Sequence, residues 1–90
     1  MTPVEMDAFL FERTMRGLKL RPHISPNVAE NEVSYYWKYN DYSALASVEG
    51  DGFVGYAYKV DGIYVMGKDM ECPVTKFPDD LKEYLSKIPY

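Results

Sequence analysis

One cysteine, one histidine and one tryptophan occur in ninety residues, and the scarcity of each excludes some chemistry. A lone Cys72 forms no internal disulfide and builds no multi-cysteine zinc site. A lone His23 rules out paired-histidine metal motifs, and neither a glycine-rich phosphate loop nor a serine elbow is present. No apolar run approaches the ~18 residues that span a bilayer. The opening residues carry Glu5 and Asp7 where an export signal needs Lys or Arg, so a cytoplasmic protein without membrane association is expected. Basic charge is also short. Ten Lys and Arg face fourteen Asp and Glu, a net charge of -4, which disfavours direct binding to nucleic-acid phosphates.

What the chain does have is ordinary globular composition, 47% hydrophobic and 27% charged, in a length that suits a single domain over residues 1–90. Aromatics are the unusual component. Nine Tyr, four Phe and one Trp make up 16%, and tyrosine suits surfaces that are half-buried or await a partner.

A helix begins at Thr2-Pro3-Val4-Glu5, which reads as N-cap, first-turn proline and capping-box glutamate. Val4, Ala8, Phe11, Met15 and Leu18 form one stripe along it, and Gly17 supplies a stop. Glu12 and Arg16 are spaced to pair on the solvent side. Met6, Phe9 and Leu10 lie roughly opposite the stripe, which makes them a candidate contact surface. Lys19–Asn31 reads as a proline-containing connector, with a helical turn at Ser25-Pro26. Strands are expected over Glu32–Asn40, Tyr42–Glu49, Phe53–Val60 and Ile63–Lys68, joined by Asn40-Asp41, Glu49-Gly50-Asp51-Gly52 and Asp61-Gly62. After a link over Asp69–Lys76, a second helix over Phe77–Ile88 presents Phe77, Leu81, Tyr84, Leu85 and Ile88 on one face. The fold class is therefore α+β, a four-stranded antiparallel meander flanked by an N-terminal and a C-terminal helix.

Short turns fix register, and register assigns side chains to faces. Val33, Tyr35, Trp37, Tyr39, Tyr42, Ala44, Ala46, Val48, Phe53, Gly55, Ala57, Tyr64 and Met66 are expected on one face, its small central residues admitting both helices. Trp37, Phe53 and Leu81 should be buried there. Ser34, Tyr36, Lys38, Ser43, Leu45, Ser47, Val54, Tyr56, Tyr58, Val60, Ile63 and Val65 then share the other face. About ten apolar helical residues cover one face but hardly two. Tyr36, Tyr56, Tyr58, Ser43, Ser47 and Lys38 are accordingly the candidate partner- or ligand-binding residues, since Tyr with Ser is the composition of adaptable recognition surfaces.

No residue set reads as catalytic. A cysteine nucleophile needs a base within reach, and nothing in the spacing brings His23 to Cys72. The bland reading of each is a solvated loop histidine and a small buried thiol. Glu32, Glu49, Asp51, Asp69 and Glu71 fall at one end of the meander, as an acidic lobe for a basic partner or a solvated sheet end. They lack calcium-loop spacing, so no metal and no cofactor is expected. Phe53–Tyr58 resembles the aromatic strand of RNA-recognition-motif domains, but its spacing is shifted and the adjacent hairpins give the wrong strand order. The expected function is a small acidic, non-enzymatic binding protein of inhibitor, immunity or phage anti-defence type. It would recognise a protein partner or a second copy of itself. The alternative is an oligomer that binds or sequesters a nucleotide-like small molecule in tyrosine-lined pockets.

Overall fold

Helix α1 (Pro3–Thr14) starts as its cap residues dictate. The Thr2 hydroxyl accepts the Glu5 N–H at 3.2 Å and the Glu5 carboxylate accepts the Thr2 N–H at 2.9 Å. In this computed structural model, which describes residues 1–18 and 21–89, the strands follow as β1 (His23–Asn27), β2 (Glu32–Tyr39), β3 (Tyr42–Val48), β4 (Val54–Val60) and β5 (Ile63–Met66), and helix α2 (Asp79–Ser86) comes last. The sheet is antiparallel throughout, with strand order β1-β2-β3-β4-β5. The α+β meander between two helices is as expected, with one more strand.

That strand is β1, in the segment read as a connector. His23–Asn27 pairs with Glu32–Tyr36, and no helical turn forms at Ser25-Pro26. Lys19 and Leu20, the start of the expected connector, lie outside the described residues. Proline is tolerated because β1 is an edge strand, where one missing N–H need not break the ladder.

Both helices cover one face. Val4, Ala8 and Phe11 from α1 and Leu81 and Leu85 from α2 join Tyr35, Trp37, Ala44, Ala46, Val48, Val54, Tyr56 and Tyr58 in a single core. Phe11 stacks on Phe77 with centroids 5.6 Å apart, and the Trp37 ring meets Phe77 edge-on at 6.1 Å. Ala44 and Ala46 are the small central residues that let the helices approach. Glu12 takes no part in the expected pair with Arg16. Its carboxylate accepts the Tyr35 hydroxyl at 2.9 Å and ties α1 to β2.

The β3–β4 connection corrects the expected faces. It contains five residues, Glu49–Phe53, so Val48 pairs with Val54 and not with Phe53. Gly50 and Gly52 both adopt positive φ, +91° and +87°. The Gly52 N–H donates to the buried Asp7 carboxylate at 2.8 Å, which clasps this loop to α1. Phe53 leaves the ladder for a bridge to Pro73 and is 47% exposed, not buried as expected. One added residue turns β4 over, and the two-residue Asp61-Gly62 turn carries the inversion into β5. Tyr56 and Tyr58 thus move beneath the helices, while Gly55, Ala57, Tyr64 and Met66 move to the opposite face.

Candidate functional site: the open face of the sheet

With both helices on one side, no helix among the described residues covers the other side of the sheet, and its register sorts the side chains into rows. The middle row crosses all five strands as His23, Tyr36, Leu45, Ala57 and Met66. On one side of it runs Ser25, Ser34, Ser47 and Gly55. On the other side Lys38 pairs with Ser43, and Lys59 pairs with Tyr64. From Tyr36 to Met66 an apolar band therefore lies between a serine row and a row with two cations.

Local contacts hold parts of this surface in place. Ser43 and Tyr64 join through their hydroxyls, and the Lys59 ammonium sits 6.0 Å from the Tyr64 ring centroid. The Ser34 hydroxyl donates to Glu32 at 3.2 Å, which anchors the acidic end of the face. Tyr36 is 44% exposed and Met66 75% exposed, while Ala57 and Leu45 are recessed between them. Large side chains thus border a shallow apolar centre.

Of the candidate binding residues, Tyr36, Lys38, Ser43 and Ser47 meet on this face as the spacing predicts. Tyr56 and Tyr58 do not, because the β4 inversion buries both rings. Their hydroxyls donate to the Asp80 carboxylate at the start of α2, Tyr58 at 2.9 Å. Asp80 also accepts the Lys68 N–H at 2.9 Å, and the Tyr56 hydroxyl accepts the Asp69 N–H at 2.9 Å. Burial, then the Asp80 bond, pushes both tyrosines above the ordinary phenol pKa. Burial alone would raise Asp80, but the bonds from Tyr56, the Lys68 N–H and Tyr58 outweigh it and hold the carboxyl below its usual value. This network fastens α2 to the sheet. It presents no free group to a ligand.

Sequence reasoning missed His23, Ala57, Tyr64 and Met66 as members of the open face. For Ala57, Tyr64 and Met66 the signal is the length of the β3–β4 connection, since five residues and four assign opposite faces to everything downstream; His23 was missed because β1 read as a connector.

The other candidates are dispersed. Met6 and Phe9 are exposed on α1, the Arg13 guanidinium lies 5.8 Å from the Phe9 ring centroid, and Leu10 packs partly against the core. Glu32 and Glu49 flank the last β2–β3 pair, Val33 with Val48. Asp51 accepts the Phe53 N–H at 3.0 Å and Asp69 accepts the Glu71 N–H at 3.2 Å, so both partly serve their own loops. Among the described residues no group of three or more His, Cys, Asp or Glu could hold a metal ion. The cleft between the start of α1 and the β1–β2 hairpin, about 350 Å³, sets Val4, Pro26, Val28 and Val33 beside Glu5 and Glu32, and the Thr2 hydroxyl and Glu5 carboxylate in it are engaged in the helix cap.

Cys72 is fully buried. Burial, with Asp69 nearby, raises its thiol to about 11, which keeps it protonated and unreactive at neutral pH. Among the described residues no helix is long and apolar enough to cross a membrane. Compared with protein-family models, curated proteins and solved structures, the chain matches none.

Proposed function

We propose that this chain is a small intracellular, non-enzymatic recognition module whose working surface is the open sheet face centred on Tyr36. One observation carries the reading: both helices pack on the same side, leaving an apolar band with Tyr36 and Met66 exposed on a five-stranded sheet. An uncovered sheet face in a monomer normally alternates to plainly polar residues. The flanking serines and lysines suit a polar rim around that band, the usual anatomy of a protein-binding patch.

Charge supports an inhibitor-type role. The net charge of -4 and the acids Glu32, Glu49 and Asp51 at one sheet end would steer a basic partner toward the molecule. A phage anti-defence or immunity role belongs to the same reading, since such proteins act by blocking a surface. The ligand-sequestering alternative is the weaker reading, because two of the three tyrosines meant to line its pockets are spent in the core.

A photo-crosslinking amino acid placed at position 36, and separately at exposed Lys82 on α2, tests the proposal in the producing cell. The expected result is a discrete crosslinked species from position 36 and none from position 82. The crosslinked partner should then bind Tyr36→Ala at least ten-fold more weakly, as buried aromatic anchors do. Equal crosslinking from both positions, or unchanged affinity of Tyr36→Ala, would refute the assignment.

A further inference from the structure

We propose that β5 is the seam of a homodimer, its outer edge pairing antiparallel with β5 of a second copy across a two-fold axis. This rests on the sheet edge and not on the partner proposed for the open face, although Tyr64 and Met66 belong to both surfaces.

The two edges of the sheet differ. On β1, Pro26 removes a backbone donor in mid-strand, a recognised guard against strand addition. Strand β5, Ile63-Tyr64-Val65-Met66, has no proline and no charge, and all four residues are exposed. An apolar, unguarded edge is a template for another strand.

Its free backbone groups can be assigned. Asp61 and Gly62 have φ of 52° and 80°, the primed turn that closes on a hydrogen-bonded Val60–Ile63 pair. At the other end the Gly67 N–H donates to the Tyr56 carbonyl at 2.9 Å. Antiparallel ladders alternate, so Ile63, Val65 and Gly67 face β4, and the N–H and C=O groups of Tyr64 and Met66 point outward. The Asp80 bond to the Lys68 N–H ends this free stretch.

Pairing through both outward residues sets Tyr64 opposite Met66 of the second copy. Val65 then lies on the two-fold axis opposite its own equivalent. Apolar contact forms on both sides of the sheet, Tyr64 with Met66 on the open side, Val65 with Val65 on the helix side. The strand is neutral, so two molecules of charge -4 meet there without opposing like charges along the seam. A second copy supplies the matching strand without any further requirement.

The size of the seam sets its strength. From their exposure, Val60, Ile63, Tyr64, Val65 and Met66 offer on the order of 500 Å² per copy, below the ~800 Å² of a standard partner surface. The dimer is therefore reversible and concentration-dependent.

Sedimentation equilibrium from ~10 μM to ~1 mM, together with disulfide trapping, tests it. Directly opposed residues of a non-hydrogen-bonded pair lie within disulfide reach. Val65→Cys should form a covalent dimer under mild oxidation at least ten-fold faster than Val28→Cys, an exposed control on the β1–β2 hairpin. The wild type, with Cys72 buried, should form none. Met66→Pro removes an outward N–H and should weaken dimerisation ten-fold or more, whereas Met66→Thr stays within about three-fold. Circular dichroism shows whether the proline variant is folded; if it is not, the Val65→Cys rate decides alone. A monomer at the highest concentration, or equal trapping of the two cysteine variants, overturns the proposal. So does loss of the dimer in Tyr36→Ala, which would mark face-to-face association.

Discussion

Removing the Asp80 carboxylate should be among the most damaging single changes on the polar part of this molecule. The side chain accepts three hydrogen bonds, from Tyr56, Tyr58 and the Lys68 N–H, and joins α2, β4 and the segment after β5. Hydrogen bonds to a charged acceptor contribute about 1.5–3 kcal/mol each, but three on one half-buried carboxylate do not add, and solvent discounts them. Asp80→Ala should therefore cost about 3 kcal/mol. At roughly 4–8 °C per kcal/mol for a domain of this size, the melting temperature falls by roughly 12–24 °C. Asp80→Asn, which keeps one acceptor, should lose about half as much. Trp37 is the reporter for urea titration, because it is the single tryptophan, is 2% exposed and touches Phe77. A double-mutant cycle with Tyr58→Phe should show coupling of about 1 kcal/mol or more. The pH dependence follows from the depressed carboxyl pKa. Its stabilisation is full above the unfolded carboxyl value near 4 and is lost as pH falls through the lower folded value. The wild type should lose stability more steeply than Asp80→Asn in that acidic window. A cost for Asp80→Ala under about half a kcal/mol would refute the claim that this carboxylate fastens α2 to the sheet.

Leu81→Ala, at a fully buried position, should cost about 2–5 kcal/mol by urea titration, and a loss under half a kcal/mol would mean that α2 does not pack as described. Gly67→Ala should destabilise by about 2 kcal/mol or more, because its Cβ would overlap the Tyr56 ring, which is held at its hydroxyl by Asp80 and the Asp69 N–H. Gly52→Ala, where the added carbon meets nothing, tests backbone strain alone and should cost less. Cys72 at a pKa of about 11 is on the order of 0.1% thiolate at pH 8, so alkylation should track unfolding; folded-state labelling within ten-fold of a free thiol contradicts its burial.

The parts of the fold legible in the sequence were those with a local cause. Thr2, Pro3 and Glu5 specify the start of α1 within one turn, and Asp61-Gly62 specifies its hairpin because the turn chemistry permits little else. The β3–β4 connection was not legible in the same way. Its length depends on Asp7 reaching the Gly52 N–H across 45 positions, and on Phe53 finding Pro73. Neither partner is adjacent in the chain, and the loss of one ladder position inverted two strands. Four of the six candidate binding residues, Tyr36, Lys38, Ser43 and Ser47, share the open face as the spacing predicts, because they precede that loop. Tyr56 and Tyr58 follow it, and their partner Asp80 stands 24 and 22 positions further along the chain.

Strand order that matches chain order has a kinetic consequence. Each of the four β pairings closes a short loop, so the sheet can zip hairpin by hairpin with little loop-closure entropy at any step. The helices differ. The Asp7 clasp on Gly52 and the Tyr35–Glu12 bond join α1 to strands that emerge later, and Asp80 draws α2 back over β4. The transition state for folding should therefore be polarised toward the β2–β3–β4 meander, with high φ-values at Ala44 and Ala46 and low ones at Val4 and Leu85. Substitutions in either helix would then chiefly accelerate unfolding and leave the refolding rate nearly unchanged.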